Sequence, residues 1–232
     1  MRIHFLYLVE RASSITLVVV LANLVLANLV SPNTTALAQE PANPTSHSQT
    51  ADANDSTTVD QVAGRTVEQY ASELDDPNRV VRLRAVKSLG AFGPSAGDAL
   101  QKALDHDDHA VQYTAAVHLG RIGGPPLNDA TERLTELAKQ KDSQAVRIAA
   151  SYALCRGGQI DPYLSVLTDA LSYPDRGTVC STAELLGMLG ATAKAAIDPL
   201  DAVYQTNKPG VKGGDYHIGG AANNALRKIR GK

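Results

Sequence analysis

Residues 81–93, VRLRAVKSLGAFG, decide the fold, because their pattern returns at 111–123 (VQYTAAVHLGRIG) and at 146–158 (VRIAASYALCRGG). Two weaker copies follow at 178–190 and from residue 218 onward. The leucines that anchor successive copies lie 30, 35, 32 and 40 residues apart. Spacings of that size are typical of stacked helical hairpins, each of which buries its apolar side against its neighbours. The sequence therefore predicts an all-α solenoid, or superhelix, of about five helical hairpins.

A side chain suited to capping a helix stands three positions before the first residue of every copy. These side chains are Asn78, Asp108, Ser143, Asp175 and Asp215. Each can accept a hydrogen bond from an otherwise unpaired amide in the first helical turn. The shared register predicts that the second helix of every hairpin begins at this point. Asp161 and Pro162 are expected to start a first helix in the same way, as cap and first helical residue.

Two sets of glycines recur with different expected roles. The first set follows the anchor leucine inside the helix, where glycine costs about 1 kcal/mol relative to alanine, and it consists of Gly90, Gly120 and Gly187. We expect these residues to allow close approach of the neighbouring hairpin. The second set falls where each helix stops, in the left-handed conformation that glycine accepts, and it consists of Gly93, Gly123, Gly158 and Gly190.

The N-terminal residues 1–38 are predicted to be an export signal. An apolar run follows Arg11, and residues 36–38 (Ala-Leu-Ala) form the small-x-small pattern at which signal peptidases cut, here between Ala38 and Gln39. Such a signal predicts a periplasmic or extracellular protein. The alternative is an uncleaved membrane anchor, for which the 19 residues from Ala12 to Val30 are barely long enough.

Residues 39–65 are predicted to be a disordered linker, and residues 66–232 the repeat domain. The linker is rich in Pro, Ser, Thr and Asn and has few large apolar residues to bury. The formal net charge of the whole chain is −2. Loss of residues 1–38 removes two Arg and one Glu, which leaves 20 basic and 23 acidic side chains. This balance argues against a nucleic-acid partner, whose phosphates attract a basic surface.

Residues 74–93 and 104–123 resemble short HEAT repeats of the type found in phycobilisome lyases, and the resemblance extends over residues 66–232. It implies an α-solenoid, but it does not assign a function, because this scaffold serves adaptors, lyases and hydroxylases. The His-Glu pairs of the HEAT-like hydroxylases do not occur in this sequence. The resemblance also implies that Arg82 and Arg147 form a ladder with turn acids such as Asp75 and Asp76 of neighbouring hairpins.

The most metal-like cluster is residues 105–109, Asp-His-Asp-Asp-His. His106, Asp107 and His109 could bind zinc or iron. The preferred interpretation is an ordinary turn between two helices, with Asp108 as a cap. We therefore expect no cofactor, no bound metal and no catalytic residue.

The predicted function is that of a non-catalytic adaptor that binds a protein or peptide on the concave side lined by the second helices. The candidate contact residues are Arg84, Lys87, Ser88, Thr114, His118, Tyr152, Ser181, Glu184 and Asn224. A mixed polar surface with an exposed tyrosine suits a protein partner. Ordinary solvated helix faces are the alternative for these residues. A lyase or metal-dependent enzyme on the same scaffold, or an accessory subunit of an exported enzyme, remains open as the alternative function.

Overall fold

The computed structural model of the chain describes residues 59–231, and within them the regular structure is helical apart from one isolated β-bridge between Val62 and Arg65. The helices are α1 (Val67–Ser72), α2 (Arg79–Leu89), α3 (Gly97–Ala103), α4 (His109–Ile122), α5 (Gly124–Asp129), α6 (Thr131–Lys139), α7 (Gln144–Arg156), α8 (Tyr163–Ala170), α9 (Arg176–Leu189), α10 (Ile197–Asn207) and α11 (Tyr216–Ile229). The predicted signal, its cleavage site at Ala38 and Gln39, and residues 39–58 of the predicted linker lie outside the described residues.

The helices form five hairpins, which confirms the predicted α-solenoid. The first helices of the hairpins are α1, α3, α6, α8 and α10, and the second helices are α2, α4, α7, α9 and α11. The second helices pack on one another in sequence order, so each hairpin contacts the next. The short helix α5 is an addition between the second and third hairpins, and it accounts for the longer repeat spacing there. None of the helices between residues 59 and 231 combines the length and apolar character needed to cross a membrane.

All five predicted caps hold their helices. Backbone amides donate to Asn78 from Val80 (2.9 Å), to Asp108 from Ala110 (2.9 Å), to Ser143 from Val146 (3.3 Å), to Asp175 from Thr178 (2.7 Å) and to Asp215 from His217 (2.9 Å). The predicted start at Asp161 is wrong. Helix α8 begins at Tyr163, and Pro162 occupies the cap position with φ −92° and ψ 6°, so no side chain caps this helix.

The core is a continuous apolar layer between the two helices of each hairpin and between successive hairpins. The five anchor leucines are at most 2% exposed: Leu89, Leu119, Leu154, Leu186 and Leu226. Burial of a leucine side chain contributes about 1.5–3 kcal/mol relative to full exposure. A single hairpin cannot bury its leucine completely by itself, so this contribution to stability requires the neighbouring hairpins to be in place.

Glycines set the spacing of the second helices, as predicted. A Cβ atom on Gly120 would lie 2.7 Å from the Tyr152 ring and 3.0 Å from the Ala153 Cα. On Gly187 it would lie 3.1 Å from the Ala225 Cα, and on Gly90 it would overlap the ring of His118. The four glycines predicted to end helices have φ between +58° and +92°. The predicted positions are wrong only in the first hairpin, where α2 already ends at Leu89, so that Gly90 is its C-terminal cap and Gly93 lies beyond its end.

Candidate binding surface

The nine predicted contact residues all lie on second helices, but they differ in exposure. Four are exposed, namely Arg84, Lys87, Glu184 and Asn224. Four are half-buried, namely Ser88, Thr114, His118 and Ser181. Only Tyr152, at 1% exposure, is buried.

The prediction that Tyr152 is an exposed tyrosine on the surface is wrong. Its ring packs against Gly120 of α4, and the neighbouring Ile148 on the same helix is also 1% exposed. The cause is the approach of α4 and α9 from the two sides of α7. Side chains of α4 and α9 also come close to each other over α7. Burial raises the pKa of the Tyr113 hydroxyl on α4, and the nearby negative charge of Glu184 on α9 raises that pKa further. The middle of the predicted surface is therefore filled by side chains.

The part of the surface on α2 and α4 combines two exposed cations, Arg84 and Lys87, with the imidazole of His118. The ring of His118 is half-buried in the space that the missing side chain of Gly90 leaves. Burial, followed by the positive charges of Arg121 and Lys87, lowers the pKa of His118 to about 4. The imidazole is therefore neutral at pH 7. The hydroxyl of Thr114 donates to the carbonyl of Ala110 at 2.7 Å, so it is already satisfied within its own helix.

The other part of the surface is a shallow cleft between α9 and α11, with a volume of about 220 Å³. Its lining includes the exposed Glu184 and Asn224 that the sequence singled out. It also includes Met188 and Lys228, which sequence analysis missed. Both missed residues lie four positions after a predicted one on the same helix, so helical spacing alone could have found them.

The candidate metal cluster lies at the turn between α3 and α4, where His106 makes hydrogen bonds to the backbone. The Nδ1 atom of His106 accepts from the Asp108 amide at 2.7 Å. The other ring nitrogen, Nε2, lies 3.1 Å from the Leu74 carbonyl, to which it donates in the tautomer that this first bond selects. Both nitrogens are thus engaged, while Asp107 and His109 point outward as exposed residues. Across the described range, no three His, Cys, Asp or Glu side chains are grouped to hold a metal ion.

The predicted ladder of arginines and turn acids is present only at Arg82, and its acid is not one of those predicted. Arg82 donates to Asp108 of the next hairpin at 3.3 Å and to the backbone carbonyl of Asp76 at 2.8 Å. Arg147 donates to the hydroxyl of Tyr173, again in the next hairpin, at 2.7 Å. Both arginines therefore reach forward along the array. The carboxylates named in the prediction are engaged elsewhere, that of Asp75 with Lys102 and that of Asp76 with the Asn78 amide.

Asp108 joins the first two hairpins, and it predicts a dependence of stability on pH. Hydrogen bonds from Arg79, the Ala110 amide and Arg82 lower its pKa from 3.8 to about 2. A carboxylate with a lowered pKa stabilises the fold above pH 4, and this contribution is lost as the pH falls from about 4 to 2. We expect Asp108→Asn, which keeps a capping oxygen, to lower the free energy of unfolding at pH 7 by roughly 1–2 kcal/mol, a figure reduced for solvent screening of the exposed Arg79.

Urea unfolding of wild type and variant between pH 7 and pH 3 measures this effect. The difference between the two proteins should shrink as the pH falls. Asp107→Asn is the matched control, because the neighbouring Asp107 is exposed and makes no hydrogen bond or ion pair among the described residues. A difference that stays constant with pH would show that the ionised carboxylate contributes nothing.

These features define an α-solenoid of HEAT-like hairpins with a polar surface on its second helices. A family model described as HEAT repeats matches residues 67–155. Residues 67–155 therefore carry HEAT repeats, as the resemblance predicts for this part of the chain.

Several solved structures are similar to the chain. One engineered protein has 22% identity and a TM-score of 0.43, over 71% of this chain and 79% of its own. A second engineered protein has 19% identity and a TM-score of 0.38, over 72% and 99% of the two chains. The complex of CpcE and CpcF of phycocyanin lyase from Nostoc sp. PCC7120 has 17% identity and a TM-score of 0.38, over 70% and 82%. Among curated proteins, none matches the chain significantly.

Proposed function

We propose that this chain is an exported, non-catalytic HEAT-repeat scaffold that binds a protein or peptide on the concave side lined by its second helices. The observation that carries the proposal is the array of HEAT repeats itself, since proteins built of these repeats generally bind other proteins. The scaffold is stabilised by its core and caps, which leaves the polar residues of the second helices available to a partner. Interfaces with soluble partners are mixed in this way, polar at the rim and enriched in arginine.

The binding surface consists of two separate parts, one on each side of the filled centre at Tyr152. Arg84 and Lys87 lie on the first part, and Glu184 and Asn224 lie on the second. A partner segment that contacts both parts must pass over α7 without inserting a side chain there, because α7 is buried at Ile148 and Tyr152. An extended segment meets this condition more easily than a bulky domain.

Affinity capture from the exported fraction tests the proposal. The bait is the wild-type chain, and captured proteins are identified by mass spectrometry and then measured individually. The double variant Lys87→Glu, Asn224→Arg should lower the affinity for a direct partner about tenfold or more, because it changes both parts of the surface. The matched control, Glu132→Lys combined with Lys139→Glu on first helix α6, should change the affinity less than about twofold. If only the α6 changes lowered the affinity for a specific partner, binding would take place on the first helices, and the proposal would be wrong.

The export part of the proposal rests on the sequence of residues 1–38. We expect the exported protein to begin at Gln39, so its intact mass should lack the first 38 residues. Ala38→Asp places a charge at the cleavage site and should leave the protein uncleaved and membrane-associated. Recovery of wild type at full length in the membrane fraction would instead establish the uncleaved anchor.

A further inference from the structure

The first and second helices of the hairpins carry opposite charge. The five second helices contain ten Lys and Arg residues and one acidic residue, Glu184. The five first helices contain seven Asp and Glu residues and three Lys and Arg residues. The net charge of −2 for the whole chain conceals this separation. One side of the array is therefore positive although the protein is slightly acidic.

Six of the ten basic side chains have no carboxylate partner among residues 59–231. Ion pairs within 4.0 Å account for four of them, Arg79, Arg82, Arg84 and Arg176, and Arg147 binds the Tyr173 hydroxyl. The exposed remainder is Lys87, Arg121, Arg156, Arg227 and Lys228. Lys87, Arg121 and Arg156 lie in the C-terminal halves of three helices that pack in order, α2, α4 and α7. We call these three residues the basic patch.

Close helix packing makes the basic patch continuous. His118 of α4 lies against Gly90 of α2, and Tyr152 of α7 lies against Gly120 of α4. The Arg156 Nε atom donates to the Gly120 carbonyl at 3.1 Å, so its guanidinium reaches back over α4. His118, between the first two charges, is half-buried and neutral at pH 7. Burial is the main influence on the pKa of His118 and of Tyr152, but the charges of Arg121 and Lys87 also act on the first and those of Arg156 and Arg121 on the second. Arg121 therefore lies near both of the other cations.

The helix macrodipole stabilises each of the three cations separately, because Lys87, Arg121 and Arg156 each lie in the last turn of their own helix. At the opposite ends, three of the five second helices have an aspartate cap. The dipole therefore accounts for a cation at the end of each helix. It does not supply the carboxylate partner that the three neighbouring cations lack among the described residues. Like charges held together without counter-charges weaken a fold, and a negative partner removes that cost.

We propose that the basic patch of Lys87, Arg121 and Arg156 binds a carboxylate-rich segment of the partner protein, an inference that rests on the proposed scaffold function. Neighbouring helices lie about 8–10 Å apart, so the patch spans about 20 Å. An extended peptide covers that length with about six residues. Three cations suit such a segment, whereas a nucleic acid is held by a longer series of phosphate contacts. Glu184 and the acidic first helices would repel any polyanion that extends beyond the patch.

The test uses a fluorescent oligo-glutamate peptide of about ten residues, long enough to cover the patch. Its binding to the wild-type chain is measured by anisotropy at low and at physiological salt. The triple variant Lys87→Gln, Arg121→Gln, Arg156→Gln should weaken binding about tenfold. It removes three exposed charge pairs with the peptide, each of which contributes a few tenths of a kcal/mol or more. The matched control, Lys139→Gln, Lys141→Gln, Lys194→Gln, removes the same charge from exposed positions elsewhere and should weaken binding less than about twofold.

The remaining outcomes contradict the proposal in distinguishable ways. Equal weakening by both triple variants would mean that only net charge matters. Tighter binding of a single-stranded oligonucleotide of equal length would make nucleic acid the ligand. If a captured partner binds the patch variant with unchanged affinity, the scaffold function stands and the acidic segment is wrong. If oligo-glutamate binds the patch as expected but affinity capture yields no specific partner, the scaffold function fails while the surface remains an anion site. Thermal unfolding checks that both variants fold, and the patch variant is expected to stay within about 1 kcal/mol of wild type, because it loses the hydrogen bond from Arg156 to the Gly120 carbonyl.

Discussion

Tyr152→Ala is expected to lower the free energy of unfolding by about 3–5 kcal/mol, the range for removing a large buried ring. Tyr152 is among the largest fully buried side chains of the protein, and α7, on which it lies, is packed between α4 and α9. The truncation leaves a cavity next to Gly120, which has no side chain to fill it. Because stability in a repeat array is carried by contacts between neighbours, the loss should weaken the link between the two ends of the array.

Urea unfolding followed by circular dichroism measures this loss. Tyr152→Phe is the control, because it keeps the ring, and it should remain within about 1 kcal/mol of wild type. The two variants also separate packing from recognition. If Tyr152→Ala kept wild-type stability but abolished partner binding, the tyrosine would be a contact residue, and the assignment of its ring to the core would be wrong.

The features that the sequence predicted correctly depend on local structure. A cap such as Asp175 needs only the amide three residues ahead of it, and a helix-ending glycine such as Gly190 needs only its own φ. Caps and helix-ending glycines can therefore be predicted from a repeated sequence pattern without knowledge of the tertiary structure. Gly120 was also interpretable, because a glycine inside a helix has a cost that indicates a neighbour at close range.

The features that the sequence did not predict depend on which distant residues meet. The exposure of Tyr152 is decided by how closely α4 and α9 approach across α7, and no spacing within α7 contains that information. The partner of Arg82 is likewise set by the forward stacking of the hairpins, which brings Asp108 within 3.3 Å. Of the basic patch, Lys87 was predicted, but Arg121 and Arg156 were missed for a related reason. Its three residues are ordinary surface positions until the glycine contacts place them side by side.

The fifth hairpin offers a second prediction of large effect, at two adjacent glycines of α11. Gly219 lies against the end of α10, where an added Cβ atom would overlap the backbone carbonyl of Asn207. Gly220, one residue later in the same helix, is exposed and has nothing within 4 Å of the Cβ position. Gly219→Ala is expected to destabilise the protein by about 3 kcal/mol, because backbone cannot move aside as a flexible side chain can.

Gly220→Ala should have the opposite sign. It is expected to raise the free energy of unfolding by up to about 1 kcal/mol, since alanine is the better helix former and meets no obstacle. Thermal or urea unfolding of the two single variants compares the same chemical change at neighbouring positions, so intrinsic helix propensity cancels and only the contact with α10 remains. The loop at residues 208–215 fixes that contact through the Asn207 side chain, whose Oδ1 accepts from the Asp215 amide at 2.9 Å. Stabilisation by both alanines would mean that α11 is free to move away from α10, and that this loop does not hold the last hairpin together.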